Sequence, residues 1–232
     1  MKNRIINGLR VYAPASFAEL IHFALENSKN LIAVNAEKIL HANDNLKLLI
    51  NDNIGYPDGI GAVWALQKKG CTDTIKIPGC ELWLKIIEQC YTTKSFYFIG
   101  ATDTVIAATV KKLQTEFVAI KILNYRNGFI KNNIEKERLI EDLQLKKPDI
   151  VFVAMGSPRQ ENLIQDLQKQ HKALYQGLGG SFDVYTGVVK RAPKWWVKNN
   201  LEWAFRLIKQ PARWQRHLHL IVFFCKLHLN RF

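Results

Sequence analysis

Short runs of branched and aromatic residues alternate along this chain with longer stretches in which apolar residues recur every three or four positions. Five runs have the length and composition of buried strands, at 31–35, 95–99, 118–123, 149–154 and 173–177. Six stretches have helical spacing, at 36–51, 59–69, 80–90, 104–117, 133–145 and 159–170. Strands that alternate with helices form parallel βαβ units. The pattern therefore predicts an α/β fold with a mostly parallel sheet and helices on both faces.

The two ends of the chain depart from this alternation. Residues 4–12 predict an edge strand or a hairpin. Pro193 opens a stretch of helical spacing at 194–209, Pro211 ends it, and a second helix is expected at 212–229. One face of that second helix carries Trp214, Leu218, Ile221, Cys225 and Leu229. We therefore expect a helical appendage at the C-terminal end.

The composition adds a strong basic bias. The 232 residues carry a formal net charge of +13, which indicates an anionic partner: nucleic acid, anionic lipid or a phosphorylated substrate. Residues 190–232 hold ten Lys and Arg against one acid, so they carry +9 of that charge, and they hold four of the six tryptophans. A basic amphipathic helix with aromatic anchors suits a lipid headgroup layer. A C-terminal helix that packs on its own domain is the alternative.

Other classes of protein are disfavoured by what the sequence lacks. No run reaches the roughly 18–20 apolar residues of a membrane-spanning helix, and the N-terminus lacks the apolar core of a signal peptide. We therefore expect a cytoplasmic protein. No CxxC pair occurs among Cys71, Cys80, Cys90 and Cys225. No D-x-D pair is present either, so we predict reduced thiols and no metal site.

Glycine-rich turns follow the predicted strands, at the edge of a parallel sheet where ligands bind. In MGSPRQE (155–161), Gly156 allows a ligand close to the backbone, free amides favour phosphate, and Gln160 can bond a sugar or base. In GLGGSFD (177–183), three glycines can cradle a pyrophosphate. Both segments can equally be ordinary strand–helix turns. Neither matches the dinucleotide or P-loop pattern.

Charged side chains at these turns are the candidates for catalysis. Asp58, in GYPDGIG (55–61), can act as a general base or as a helix N-cap. Asp183 is the second carboxylate, with a turn role as its alternative. Lys190 and Arg191 precede a helix, where they can neutralise a diphosphate or a sugar carboxylate or form a solvated basic turn.

Six segments, taken together and in order, resemble the WecG/TagA/CpsF family of bacterial glycosyltransferases, glycosyltransferase family 26. They are VNAEKI (34–39), PDGIGAV (57–63), GCELW (79–83), KPDIVFVAMGSPRQE (147–161), GLGGSFDVYTGVVKRAP (177–193) and LEWAFRLIKQPARWQR (201–216). The resemblance implies an inverting transferase that needs no metal or other cofactor. It implies a Rossmann-like catalytic domain, which we assign to 1–190. It also implies a membrane-engaging appendage, which we assign to the basic, Trp-rich helical segment 191–232.

The segments NAEK, AMGSPRQE and VKRAPK are most similar to the WecG branch. That branch transfers N-acetylmannosaminuronic acid (ManNAcA) from UDP-ManNAcA to undecaprenyl-pyrophosphoryl-N-acetylglucosamine, in enterobacterial common antigen synthesis. The alternative is the TagA-type reaction, in which UDP-ManNAc is the donor. Both imply an anionic membrane surface at the cytoplasmic face of the inner membrane as a partner. A nucleic-acid-binding protein is the remote alternative, since no reading motif is present and the glycine turns would have no role.

The resemblance also assigns site residues. It places the base on Asp58, an active-site asparagine on Asn35 and the family's glutamine on Gln160. Lys76 stands where the family often has arginine, and Glu81 where it usually has aspartate; we expect Lys76 to help offset the charge of UDP. The expected UDP-sugar contacts are Gly100, Ala101, Asn127, Gly128, Gly156, Gln160, Gly179, Gly180, Asp183, Lys190 and Arg191. The expected lipid-pyrophosphate and membrane contacts are Arg206, Arg213, Arg216 and Trp214. No oligomeric state is predicted.

Overall fold

The computed structural model describes residues 1–209 and 214–229. Its strands are Asn3–Ile6 (β1), Leu9–Tyr12 (β2), Leu31–Val34 (β3), Ile54–Pro57 (β4), Ser95–Gly100 (β5), Lys121–Arg126 (β6), Ile150–Ala154 (β7) and Leu174–Gly177 (β8). Its helices are Phe17–Asn27 (α1), Ala36–His41 (α2), Asp44–Asp52 (α3), Ile60–Lys68 (α4), Gly79–Cys90 (α5), Asp103–Glu116 (α6), Asn133–Lys146 (α7), Arg159–Gln170 (α8), Ser181–Tyr185 (α9), Lys194–Lys198 (α10), Glu202–Lys209 (α11) and Trp214–His228 (α12).

The predicted α/β fold is confirmed. Six parallel strands form the main sheet, in the order β4-β3-β8-β7-β5-β6, and helices flank it. None of the helices within the described residues is long and apolar enough to cross a membrane. By its internal contacts the chain separates into two compact units. The first unit comprises 1–20, 32–78 and 190–232; the second comprises 21–31 and 79–189.

The second unit is built around aromatic side chains from its central strands. All residues of β5 and β7 are buried, as expected for parallel strands covered on both faces. The rings of Phe96, Phe98 and Phe152 stack on one another, with centroids 5.6–6.3 Å apart. Trp83 of α5 meets Phe152 and Phe182 edge-on. This packing fixes the carboxyl ends of β5 and β7, where two of the glycine turns begin.

Strand β6 lies at the edge of the sheet and begins later than predicted. Residues 118–123 were expected to be extended, but Val118 lies in a turn and is 91% exposed. The Ile120 N–H donates to the Phe117 carbonyl at 2.9 Å, which closes that turn after α6. The branched residues of 118–123 therefore span a turn and the start of the strand, and the prediction of its bounds was wrong.

Two predicted helices are each divided in the structure. The stretch 36–51 forms α2 and α3, because the Asn43 side chain accepts from the Leu46 N–H and starts a new helix. The stretch 194–209 forms α10 and α11, with Asn200 between them in the left-handed region at φ 59°. Helical spacing of apolar residues continues across both breaks, so periodicity alone could not reveal them.

In the first unit, the predicted N-terminal hairpin is confirmed. Strands β1 and β2 pair antiparallel, with Ile6 opposite Leu9. The two residues between them, Asn7 and Gly8, both have positive φ, the geometry that Asn-Gly turns favour in tight hairpins. Ile6 and Leu9 are fully buried, so the hairpin contributes to the core of this unit.

The C-terminal helix α12 packs on the same core. Phe223 is fully buried, and its ring lies 3.1 Å from the position that a Cβ on Gly61 of α4 would take. The Lys68 ammonium donates to the carbonyls of Leu227 and His228 near the end of the helix. Of the apolar face predicted for this helix, Ile221 and its described neighbours remain exposed. A different face, which includes Phe223, therefore docks on the unit.

We predict that Phe223→Ala lowers the free energy of unfolding by about 3–5 kcal/mol, because it opens a cavity between α12, α2 and α4. Ile221→Ala is the matched control: Ile221 lies on the same helix but is 61% exposed, so its loss should cost about 0.5 kcal/mol or less. Urea unfolding followed by circular dichroism measures both. Equal effects of the two substitutions would contradict this packing of α12.

Candidate active site

In the first unit, Asn35 and Asp58 lie at the carboxyl ends of neighbouring strands. Asn35 directly follows β3, and Asp58 directly follows β4. The Asp58 N–H donates to the carbonyl of Val34 at 3.0 Å, so its backbone is bonded to the residue that precedes Asn35. Four residues were expected to be catalytic: Asn35, Asp58, Lys76 and Gln160. The structure thus brings the first two of them together.

Asn35 has one end of its amide committed. Its Oδ1 accepts from the Lys38 N–H at 2.9 Å and caps α2. This bond also fixes which end of the amide is which, because only the oxygen can accept. The half-buried Nδ2 group has no protein acceptor among the described residues. Asn35 can therefore offer a hydrogen-bond donor to a bound molecule.

Asp58 is half-buried and does not occupy the capping position of the next helix. The N-cap residue of α4 is Gly59, which has φ 103°. The interpretation of Asp58 as the N-cap was therefore wrong.

The segment that carries Lys76 is hydrogen-bonded, through its backbone, to the segment that carries Asp58. The Ile77 N–H donates to the carbonyl of Pro57 at 2.9 Å, so the segment that carries Lys76 is bonded to the residue before Asp58. The Lys76 ammonium donates to Asn200 Oδ1 at 2.6 Å. An ammonium has three N–H donors, so this contact orients Lys76 and leaves donors for a ligand.

The other predicted cations differ in their surroundings. The Arg191 guanidinium lies 3.8 Å from the Glu202 carboxylate, which offsets part of its charge. Lys190 is exposed and makes no ion pair within the described residues. Arg213 lies outside the described residues. The side chains of Arg206, Trp214 and Arg216 also lie outside what is described, although the backbone of each is helical.

In the second unit, two predicted turns are bonded to each other. The Ala101 N–H donates to the Ala154 carbonyl at 3.0 Å, and the Gly128 N–H donates to the Ala101 carbonyl at 3.0 Å. Gly100 has φ 141°, and a Cβ there would lie 2.3 Å from the Ala154 oxygen. Only glycine fits where the neighbouring strands β5 and β7 approach each other this closely. The turns at 100–101 and 127–128 therefore form one rigid edge.

The two glycine motifs of this unit are joined by Gln160. The Gln160 side chain is 7% exposed, and its Oε1 accepts from the Gly179 N–H at 2.8 Å. A Cβ on Gly177 would lie 2.5 Å from Gln160 Nε2, so the glutamine fills the space that this glycine leaves. Gln160 therefore positions the 177–180 loop as well as being a predicted ligand contact.

The remaining predicted contacts flank this loop. Gly156 and Gly179 have φ values of 77° and 58°, with no atom within 4 Å of a Cβ position. Asp183 is half-buried on α9, and its Oδ2 lies 3.8 Å from where a Cβ on Gly180 would be. These positions are open enough to admit a ligand close to the backbone.

The comparison with protein families covers nearly the whole chain. The model of the family described as "Glycosyl transferase WecG/TagA/CpsF family" matches residues 6–232. The chain belongs to this family. It is therefore a glycosyltransferase, whose substrates are a sugar donor and an acceptor. The predicted resemblance is confirmed over nearly the entire length.

The structure of this glycosyltransferase also reveals supporting residues that sequence reasoning missed. Tyr185, at the end of α9, donates to Glu116 Oε2 at 2.5 Å, and Lys112 donates to the Tyr185 carbonyl at 2.8 Å. Burial and the neighbouring Glu116 raise the pKa of Tyr185, so its hydroxyl stays protonated. These contacts fasten α9 to α6 behind the glycine loop. Asn200, the partner of Lys76, was also missed, since no local pattern marks it.

A cavity of about 520 Å³ in the second unit lies at the opposite ends of the strands. Lys94, Lys147 and Asp149 line it, and no predicted site residue does. The Asp149 carboxylate already accepts from the N–H and hydroxyl of Ser95 at 2.8 and 2.7 Å. Helix α7 ends here, and lysines beside the carbonyl end of a helix stabilise it. The charged residues that line this cavity therefore have structural roles.

Neither a metal cluster nor a disulfide is seen in the described part of the chain. No group of three or more His, Cys, Asp or Glu side chains could hold an ion among the described residues. The four cysteines are free thiols. Burial raises the pKa of Cys90, which keeps that thiol protonated and unreactive.

We predict that Gly177→Ala lowers the free energy of unfolding by about 1–3 kcal/mol, because the new methyl group overlaps the Gln160 amide. Gly180→Ala is the matched control in the same loop: its φ is −93° and its nearest neighbour would be 3.8 Å away. Thermal unfolding compares the two. In a protein that already carries Gln160→Ala, Gly177→Ala should lower the free energy of unfolding much less than it does in the wild-type protein. Additive losses of stability would contradict this packing.

Proposed function

We propose that this glycosyltransferase transfers N-acetylmannosaminuronic acid from UDP-ManNAcA to undecaprenyl-pyrophosphoryl-N-acetylglucosamine. The observation that carries the proposal is the position of Asp58, which follows the end of β4 and is bonded through its backbone to the residue before Asn35. The choice of donor rests on the segments NAEK, AMGSPRQE and VKRAPK, which are most similar to the WecG branch. The same chemistry with UDP-ManNAc is the second candidate.

The proposed reaction is a single displacement. Asp58 accepts the proton of the acceptor's 4-hydroxyl, and that oxygen forms a bond to the anomeric carbon of the donor sugar. The bond between the anomeric carbon and the β-phosphate oxygen breaks, UDP leaves with the electron pair, and the anomeric centre inverts. The free Nδ2 donor of Asn35 would hold an oxygen of the sugar substrates beside the base.

The leaving UDP needs its developing charge balanced. We propose that backbone amides of the glycine turns and the cations Lys76, Lys190 and Arg191 do this. Because the Gly179 N–H is already bonded to Gln160, its part is to shape the loop, and the neighbouring Gly180 N–H is the candidate donor. The Nε2 group of Gln160, whose Oε1 is committed, would donate to an oxygen of the UDP-sugar.

The C-terminal residues are proposed to meet the lipid acceptor. The charge of +9 within 190–232 favours an anionic pyrophosphate and anionic headgroups, with Arg206, Arg213 and Arg216 as the cations. Trp214 would lie among the headgroups. Ile221 on α12 and Leu229 just after it are exposed, which supports an apolar surface available to lipid. We propose a peripheral association with the cytoplasmic face of the inner membrane.

The direct test is transfer to a GlcNAc-pyrophosphoryl-lipid analogue, with UDP-ManNAcA, UDP-ManNAc and UDP-GlcNAc compared in the presence of EDTA. We expect product from UDP-ManNAcA alone. Product from UDP-ManNAc alone would keep the chemistry and replace the donor. If a preparation that binds UDP gives no product with any donor, the proposed reaction is wrong. Loss of product on adding EDTA would contradict the metal-independent mechanism.

Asp58→Asn should lower kcat by about 10²–10⁴-fold, since amide nitrogen cannot accept the proton. The Michaelis constant for the donor should change little, because the base is proposed to act on the acceptor. Asp52→Asn is the control: Asp52 is an exposed carboxylate of the same unit. Steady-state kinetics, with circular dichroism to verify folding, measures both variants. A folded Asp58→Asn enzyme that retains most of its activity would exclude Asp58 as the base.

A further inference from the structure

An exposed aromatic ring lies at the edge of the second unit where the turns at 100–101 and 127–128 are bonded to each other. Phe129 follows the Asn127–Gly128 turn and is 59% exposed. We propose that Phe129 and Asp103 form the subsite for the nucleoside of the donor, with the ring against the base and the carboxylate on the ribose. This inference rests on the proposed function, because it assumes a nucleoside-diphosphate donor.

The Asn127 amide holds the two residues together. Its Nδ2 donates to Asp103 Oδ1 at 2.8 Å, and its Oδ1 accepts from the Phe129 N–H at 2.9 Å. Each end of the amide thus makes one bond within the protein, and the second N–H of Nδ2 is left for a ligand. Asn127 was expected to contact the UDP-sugar; its bonds add a positioning role, because they tie the carboxylate of Asp103 to the backbone of Phe129.

The backbone around Phe129 is held from both sides. Arg126 donates to the Phe129 carbonyl at 3.5 Å and to the Asn127 carbonyl at 3.3 Å. The Gly128 N–H donates to the Ala101 carbonyl, which ties this loop to the turn after β5. The backbone at Phe129 is therefore bonded in place, and its exposed ring offers an apolar face to a planar ligand. Such a ligand would cover the ring with little cost of ordering the loop backbone.

Two other exposed apolar residues of this unit, Val118 and Leu145, lack that setting. Val118 lies in the turn before β6, and Leu145 lies in the last turn of α7. Phe129, in contrast, lies just beyond the carboxyl end of β6, the edge of a parallel sheet at which ligands bind. Its position, its bonded backbone and its ring therefore distinguish Phe129 from these two residues.

The chemistry of the pair suits a nucleoside. An aromatic ring stacks on the face of a nucleobase. Asp103 Oδ2 makes no hydrogen bond or ion pair to any described residue, so it remains free to accept from a ribose hydroxyl. An acidic residue that accepts from the ribose 2′-hydroxyl is a recurrent feature of nucleotide sites in α/β sheets. The ribose contact thus predicts a preference for ribonucleotides.

Isothermal titration of UDP into the full chain tests the ring. Phe129→Ala should weaken UDP binding by about tenfold or more, and Phe129→Tyr should restore it, because tyrosine keeps the stacking face. Leu145→Ala is the control: it removes a side chain that is 81% exposed in the same unit and should leave the affinity unchanged. Circular dichroism should find all three variants folded.

A comparison of UDP with 2′-deoxy-UDP tests the carboxylate. Wild-type protein should prefer UDP by about tenfold or more, and Asp103→Asn should reduce that preference by weakening UDP alone. Wild-type protein that binds no UDP would overturn the proposed function together with this subsite. If wild-type protein binds UDP, and Phe129→Ala binds it equally well, the subsite is wrong and the proposed function stands. An Asp103→Asn variant with an undiminished preference would remove the ribose contact.

Discussion

The hydrogen bond from the Gly179 N–H to Gln160 Oε1 is the constraint on which the glycine-rich face of the second unit depends. It joins the first turn of α8 to the loop after β8, nineteen residues further along the chain. Because Gln160 is almost fully buried, this bond forms in a region of low dielectric, where an unmade bond costs about 1–3 kcal/mol. The bond fixes the Gly180 N–H and the start of α9, and α9 carries Asp183.

This hydrogen bond explains why the motifs MGSPRQE (155–161) and GLGGSFD (177–183) occur together. Gln160 can reach Gly179 only because Gly177 has no side chain where the amide passes. On the far side of the loop, Tyr185 is fastened to α6 through Glu116 and Lys112. The loop is therefore held at both ends, while Gly179 itself has free space around it. A loop that is held in this way can present backbone donors to a ligand without reorganising.

Most of the fold could be predicted because buried parallel strands leave a strong signal. The run 149–154 is apolar throughout, and β7 is found at Ile150–Ala154. Strand β4 was not predicted, because its four residues, Ile54–Pro57, include a glycine and a proline and resemble a turn. That omission mattered for the site, since Asp58 follows β4.

Contacts that are distant in sequence were beyond prediction for a physical reason. Lys76 and Asn200 are 124 residues apart, and nothing near either residue specifies the other. The same holds for the Asn127 amide, whose bond to Asp103 depends on how two turns meet at the sheet edge. The motifs identified the residue types that carry the chemistry. Only the fold could show which oxygen or nitrogen of a side-chain amide is already hydrogen-bonded within the protein.

The first unit contains both the proposed base and the C-terminal segment. Asn200 orients Lys76, Glu202 lies beside Arg191, and Phe223 closes the core between α2 and α4. Residues beyond 190 therefore stabilise the unit that carries Asp58. A C-terminal segment that served only to bind a membrane would not need buried contacts of this kind. Because Asn200 bonds Lys76, a displacement of this segment would also act on the loop that carries Lys76 and borders Asp58.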